Sequence, residues 1–83
     1  MNMKQEYLRW IAKKQGYARA MEILALYGQP EDLDEIDEIR EIAIKEVMDG
    51  RYSNFEKEVM VNEIKKAFLD YKTYIEFKYR DVV

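Results

Sequence analysis

The stretch SNFEKEVMVNEIKKAFLDYKTYIEFKY, residues 53–79, decides the fold because it carries the clearest helix signal in the chain. It opens with a capping box, in which the Ser53 side chain can accept from the backbone N–H of Glu56 while the Glu56 side chain reaches back. The apolar residues that follow recur every three or four positions and so share one face. They are Met60, Val61, Ile64, Ala67, Phe68, Tyr71, Ile75 and Tyr79. The opposite face is polar, so the stretch predicts an amphipathic helix over residues 54–79.

A second helix is predicted over residues 32–48. At its start Asp32 can accept from a free backbone N–H and Glu35 can reach back, and Gly50 follows its end as a terminator. Its apolar residues cover more than half of the helix circumference, which predicts contacts with neighbours on two sides. These residues are Leu33, Ile36, Ile39, Ile42, Ala43, Ile44 and Val47. The remaining polar strip consists of Asp34, Glu38, Glu41 and Lys45.

A further helix is predicted over residues 2–27. Gly28 follows it as a C-cap, and Pro30 prevents the helix from continuing. Its larger apolar residues gather on one face, which we expect to pack on the core. They are Tyr7, Trp10, Ile11, Tyr17, Ala18, Met21, Leu24 and Ala25.

Three helices joined by short connections define the expected architecture. No strand-like alternation occurs beside them, and 83 residues are enough for one hydrophobic core only. Short connections favour antiparallel neighbours. We therefore expect one all-α domain over residues 1–83, an up-down-up three-helix bundle or its completion as a homodimer.

Gly16 lies in the first predicted helix, where glycine costs about 0.5–1 kcal/mol relative to alanine. It belongs to a second, narrower stripe that lies behind the larger apolar face. This stripe consists of Ala12, Gly16, Ala20, Ile23 and Tyr27. Small residues at this spacing let two helices approach closely, which predicts self-association through the stripe in a homodimer. Alternatively, Gly16 is a kink or a tolerated exposed residue.

The residue inventory argues against catalysis. The chain has no histidine or cysteine and contains one serine and one threonine, so general acid/base and nucleophilic groups are scarce. Its three glycines stand far apart and form no phosphate-binding loop. The run Asp32, Asp34, Asp37 lacks the glycine and the later glutamate of a calcium-binding loop. We expect no enzyme, no cofactor and no metal site.

The hydropathy pattern argues against a membrane location. The longest apolar run has five residues, 23–27, whereas a membrane-spanning helix needs about 20. The first 15 residues alternate charged and apolar groups, unlike a secretory signal. We therefore expect a cytoplasmic protein.

Charge is distributed unevenly along the chain. Residues 29–50 hold nine acidic and two basic residues, whereas residues 1–28 hold two acidic and five basic residues. Acidic groups at a helix start favour the helix dipole, and a basic helix beside an acidic one is self-complementary. The alternative interpretation is a docking strip for a basic partner, formed by Asp34, Glu38 and Glu41.

Two aromatic residues complete the predicted partner surface. Tyr74 and Phe77 lie off the core face of the third predicted helix, and exposed aromatics often anchor protein interfaces. We therefore expect a small acidic helical protein that binds a protein partner as an adaptor, inhibitor or regulator, in the manner of phage and mobile-element accessory proteins. The alternative is a nucleic-acid-binding regulator that uses the basic first helix. Its candidate residues are Lys4, Arg9, Lys13, Lys14 and Arg19.

Overall fold

The computed structural model describes residues 3–80 and contains three α-helices, α1 over Met3–Leu26, α2 over Leu33–Asp49 and α3 over Asn54–Arg80. Helices make up 87% of residues 3–80, and these residues contain no strand. The predicted all-α class and three-helix bundle are confirmed. The helix ends lie within one residue of the predicted ones, and the expected start at residue 2 lies outside the described residues.

Both predicted helix starts form as the sequence indicates. The Asp32 carboxylate accepts from the backbone N–H groups of Asp34 and Glu35, at 2.8 and 3.2 Å. Ser53 and Glu56 form the reciprocal capping box, with both side chain to backbone distances at 3.1 Å. These contacts satisfy amide groups that have no partner inside their own helix.

The end of α1 is a Schellman turn. The N–H of Gly28 donates to the carbonyl of Ala25, and the N–H of Gln29 donates to the carbonyl of Leu24. Gly28 has a φ of 74°, in the left-handed region where a side chain is strained, so the predicted C-cap needs its glycine.

The central helix is α3, which packs most extensively against α1 and also against α2, whereas α1 and α2 have the smallest contact. A Cβ atom on Gly16 would meet Met60, and the Tyr71 hydroxyl donates to the Pro30 carbonyl at 2.7 Å, so α1 and α3 run parallel. The arrangement is long and flat, with extents of 51, 26 and 15 Å. Its two outer helices therefore keep wide solvent-facing surfaces.

An ion pair joins α2 to α3. The Lys72 ammonium donates to Asp37 at 2.9 Å, and Arg40 lies 3.2 Å from the same carboxylate. The hydrogen bond from Lys72 lowers the pKa of Asp37, against a smaller opposite effect of burial. The charged form of Asp37 therefore stabilises the α2–α3 contact.

A second set of contacts holds the α1–α2 connection against the end of α3. Lys78 donates to Glu31 at 2.9 Å, and the Tyr79 hydroxyl donates to the other oxygen of the same carboxylate. The hydrogen bond to Glu31 raises the pKa of Lys78. Burial raises the pKa of Tyr71, with a further contribution from the Glu31 charge.

The core lies where the three helices meet, and it confirms most of the α2 and α3 faces. Val59 joins the core although the sequence analysis left it off the predicted face, and Tyr79 lies outside the core, half exposed. Leu33 and Ile42 on α2 are also exposed. The buried apolar residues are Ala12, Ala20, Ile23, Leu24, Ile36, Ile39, Ala43, Val47, Val59, Met60, Ile64, Ala67, Phe68 and Ile75.

The predicted orientation of α1 is wrong. Of the eight larger apolar residues expected in the core only Leu24 is buried, and Ile11 and Met21 are partly buried. The stripe that faces the core is instead the narrow one of Ala12, Gly16, Ala20 and Ile23. Tyr7, Trp10, Tyr17, Ala18 and Ala25 face solvent.

Gly16 explains this orientation. A Cβ atom at Gly16 would lie 2.8 Å from the backbone oxygen and 3.0 Å from the Cα of Met60, and 3.2 Å from the Cβ of Glu63. The helix backbones thus approach too closely for a side chain at this point. The close contact that the small residues allow is formed with α3 of the same chain.

The prediction of a self-association surface is corrected by this contact. Ala12, Gly16, Ala20 and Ile23 are buried inside the chain, so they are not accessible to a second copy, while Tyr27 lies at the surface. Of the five predicted residues, Tyr27 alone is accessible to a second copy. Among residues 3–80, no helix is long and apolar enough to cross a membrane.

Candidate functional site

The outer face of α1 presents three large aromatic residues to solvent. Tyr7, Trp10 and Tyr17 are 59%, 54% and 53% exposed, and their spacing of three and seven residues places them on one side of the helix. We call these three residues the α1 aromatic face. It is exposed because the opposite, small-residue side of α1 packs against α3.

Trp10 is held in position by its neighbours on α1. The Tyr7 ring stacks on it, with 6.2 Å between centroids and 27° between planes. The Lys14 ammonium lies 4.4 Å from the centroid of the Trp10 ring. Tyr7 and Lys14 precede and follow Trp10 by about one turn, so they flank the indole along the helix axis. The orientation of Trp10 is therefore set before any partner binds.

An open groove runs beside the α1 aromatic face, between α1 and α3. Its volume is about 580 Å3, and its lining is more apolar than polar. It is lined by Trp10, Lys13, Lys14, Tyr17, Ala18 and Glu63. Among residues 3–80, neither lysine forms an ion pair. Apolar rings bordered by unpaired cations suit a ligand that carries both apolar groups and carboxylates.

The structure does not gather the five predicted nucleic-acid-binding cations into one strip. Lys13 and Lys14 border the groove, but Arg9 lies over the Phe55 ring at 5.3 Å. Arg19 pairs with Glu22 at 3.6 Å and lines a different depression, next to α2. Lys4 is exposed near the start of α1.

The acidic strip of α2 is solvent-facing as predicted. Asp34, Glu38 and Glu41 are all exposed, and Glu41 lies 3.2 Å from Arg40 on the same helix. The ion pairs between elements join Asp37 and Glu31 to α3, so the acidic segment is partly neutralised by α3.

Tyr74 and Phe77 are exposed, at 59% and 56%, also as predicted. Tyr74 lies near Tyr71, with 6.4 Å between ring centroids. It follows Lys72 by two residues, or about 200° around the helix, and Lys72 faces α2. Tyr74 therefore points away from α2, and the structure does not bring it together with the acidic strip.

The α1 aromatic face could not be predicted from hydrophobicity, because its rings form the larger apolar stripe of α1 and were expected in the core. The signal that identifies the face is the stripe at positions 12, 16 and 20, since a stripe of small residues allows the closer helix contact.

Neither the acidic side chains of residues 3–80 nor the comparisons with known proteins point to a further site. Within residues 3–80 no three acidic side chains are grouped to hold a metal ion, and no buried side-chain polar atom lacks a hydrogen-bond partner. Comparison of the chain with protein families, curated proteins and solved structures found no match. The function is therefore inferred from the surface of the chain.

Proposed function

We propose that this protein acts by binding another protein through the α1 aromatic face, as an adaptor, inhibitor or regulator in the cytoplasm. The observation that supports the proposal is the orientation of α1, which buries its small residues and exposes Tyr7, Trp10 and Tyr17. Aromatic residues at the centre of a surface are the commonest anchors of protein interfaces.

The size of the face also supports binding. Three aromatic residues that are each a little over half exposed present about 250–400 Å2, taking about 150–250 Å2 for a whole side chain. Patches of a few hundred Å2 on small monomers are often functional. The stacking of Tyr7 and Lys14 on Trp10 lowers the entropy lost when a partner binds.

Nucleic acid is the second candidate ligand, favoured by the two lysines beside the aromatic rings. Base stacking needs an open ring face, whereas the Trp10 ring is flanked by Tyr7 and Lys14. Glu63 lines the same groove, so the groove has mixed charge and lacks the concentrated positive charge that phosphate binding needs. A titration of Trp10 fluorescence with single-stranded and duplex DNA decides between the ligands. We expect no change in Trp10 fluorescence at about 0.15 M salt. Saturable binding with a steep salt dependence would favour nucleic acid as the ligand.

Affinity capture from extracts of the source cells tests the proposal. The test variant is Trp10→Ala with Tyr17→Ala, and the matched control is Met48→Ala with Leu69→Ala, which removes exposed apolar groups elsewhere. We expect at least one protein to be captured by the parent and the control and lost with the test variant. Capture of the same proteins by all three would refute the proposal.

Self-association is the competing use of this face. Light scattering over a concentration series measures it for the parent and the test variant. A parent dimer that dissociates in the test variant would assign the face to a second copy of the chain.

A further inference from the structure

We infer that the α1 aromatic face and the Tyr74–Phe77 pair form one docking surface for a single helical segment of a partner, with carboxylates placed opposite Lys13 and Lys14. This inference rests on the proposed function and specifies the class of partner. It joins two surfaces that lie on different helices.

Glu63 and Tyr74 lie on the same side of α3. Glu63 lines the groove with Trp10 and Tyr17. Tyr74 follows Glu63 by 11 residues, which is about three turns of helix, so both residues lie on nearly the same line of α3 about 16 Å apart. Tyr74 therefore extends the line along which α3 borders the groove.

The parallel packing of α1 and α3 determines where Tyr74 lies relative to α1. Gly16 lies against Met60 and Glu63, and Pro30, four residues after the end of α1, is held by Tyr71. Tyr74 thus lies beyond the end of α1, on the flank where Tyr17 meets Glu63. Tyr74 and Phe77 therefore continue the row of the α1 aromatic face on α3, after an interval of about three turns in which α3 presents the exposed Asp70.

The length of the row fits one helix. Tyr7 to Tyr17 spans about 15 Å of α1, and Glu63 to Tyr74 spans about 16 Å of α3. The row is about 30 Å long, which equals the length of a helix of about 20 residues. A partner helix that lies along it can contact both aromatic groups at once.

The area argues that both parts are needed. The α1 aromatic face alone presents about a third to a half of the roughly 800 Å2 per partner that a standard interface buries. Tyr74 and Phe77, each more than half exposed, bring the total to about 400–700 Å2, taking about 150–250 Å2 for a whole side chain. The combined surface approaches the size of a stable interface.

The charges set the chemistry of the occupant. Lys13 and Lys14 have no carboxylate partner within residues 3–80 and border the α1 half of the row, between Trp10 and Tyr17. Carboxylates placed opposite them on a partner helix would gain charge-assisted contacts. Pairing two copies of α1 around Trp10 would instead bring the lysines of both copies together, which disfavours a second copy.

Selection from a displayed library of helical peptides of about 20 residues tests the inference. Tryptophan is left out of the library because Trp10 is the single tryptophan of the chain, so its fluorescence reports directly on the surface. We expect the selected peptides to carry apolar residues at a spacing of three and four, with acidic residues in the half that binds α1. Their binding should change the emission of Trp10.

Calorimetry with a selected synthetic peptide then measures the effects of the variants. We expect Tyr74→Ala, and separately Lys13→Glu with Lys14→Glu, each to weaken binding by about tenfold or more. The control Leu69→Ala, whose parent side chain is 63% exposed, should change binding by less than about twofold.

The possible failures are distinguishable. Peptides that need Trp10 and Tyr17 but neither Tyr74 nor the lysines would overturn this inference and leave the proposed function standing. Peptides that bind equally well to the Trp10→Ala, Tyr17→Ala variant would contradict both. A parent dimer that dissociates in that variant, seen by light scattering, would assign the surface to a second copy and overturn the inference.

Discussion

Replacing Gly16 with alanine is expected to destabilise this protein, although alanine is the better helix former. The added Cβ atom would lie 2.8 Å from the Met60 backbone oxygen and 3.0 Å from the Met60 Cα. Both atoms belong to the backbone of a central helix, so relief of the contact requires α1 to move away from α3. The movement loosens the packing of Ala12 and Ala20, which lie on the same stripe.

The magnitude follows from two opposing effects. Alanine gains about 0.5–1 kcal/mol of helix propensity over glycine. Overpacking of a closely packed contact costs about 1–3 kcal/mol. The expected net loss is therefore about 0–2.5 kcal/mol and is centred on about 1 kcal/mol, which in a domain of this size lowers the melting temperature by about 4–8 °C.

Urea and thermal unfolding followed by far-UV circular dichroism measure this loss. The matched control is Ala18→Gly, two residues along the same helix at an exposed position, which should lose about 0.5–1 kcal/mol from propensity alone. Opposite substitutions at neighbouring positions should thus both destabilise. If Gly16→Ala stabilised the protein instead, the close contact between α1 and α3 would be refuted.

Three further predictions concern other parts of the chain. Trp10 should show the emission of a solvated indole and strong quenching by acrylamide, whereas a blue-shifted, protected emission would place it in the core. Ser53→Ala should lower the free energy of unfolding by about 1 kcal/mol in urea titrations because it removes the α3 cap, and an unchanged value would contradict the capping box. The pKa of Asp37 is lowered in the folded state. The contribution of its charge to stability is therefore present above the unfolded pKa of about 4, and it is lost as the pH falls through the folded pKa. Asp37→Asn should therefore show a smaller loss of stability under acid than the parent, and equal acid sensitivity would contradict the role of the Lys72 contact.

The helices and their caps could be predicted from the sequence because their determinants are local. Ser53 and Glu56 are three residues apart, and each satisfies the other's backbone amide whatever the rest of the chain does. The core face of α3 was equally clear, since it has one wide apolar stripe, and Met60, Ile64 and Phe68 are fully buried.

The orientation of α1 could not be predicted from hydrophobicity, because that helix has two apolar stripes. The stripe with Trp10 and Tyr17 has the larger apolar area, yet the stripe with Gly16 packs inward. The choice depends on how closely α3 approaches, which is a property of the assembled bundle. The candidate site was therefore predicted only in part: Tyr74 and Phe77 are exposed as expected, but the α1 aromatic face was assigned to the core.

The wide apolar arc of α2 illustrates the same limit. The sequence predicted neighbours on two sides, and α2 contacts both α3 and, to a smaller extent, α1. Ile36 and Ile39 are buried, whereas Leu33 and Ile42 stay exposed at the edges of the arc. Hydrophobic pattern gives the width of an apolar face, and the spacing between helices decides how much of it is covered.

The uneven distribution of charge has a kinetic consequence. Residues 1–28 carry a net charge of five minus two, or +3, and residues 29–50 carry two minus nine, or −7, so the chain has a large electric dipole. An approaching acidic helix would be repelled by α2 and attracted toward Lys13 and Lys14, and would therefore arrive already oriented. Added salt should then slow association much more than it accelerates dissociation. The repulsion by α2 would thereby direct the partner to the α1 surface, although α2 forms no part of that surface.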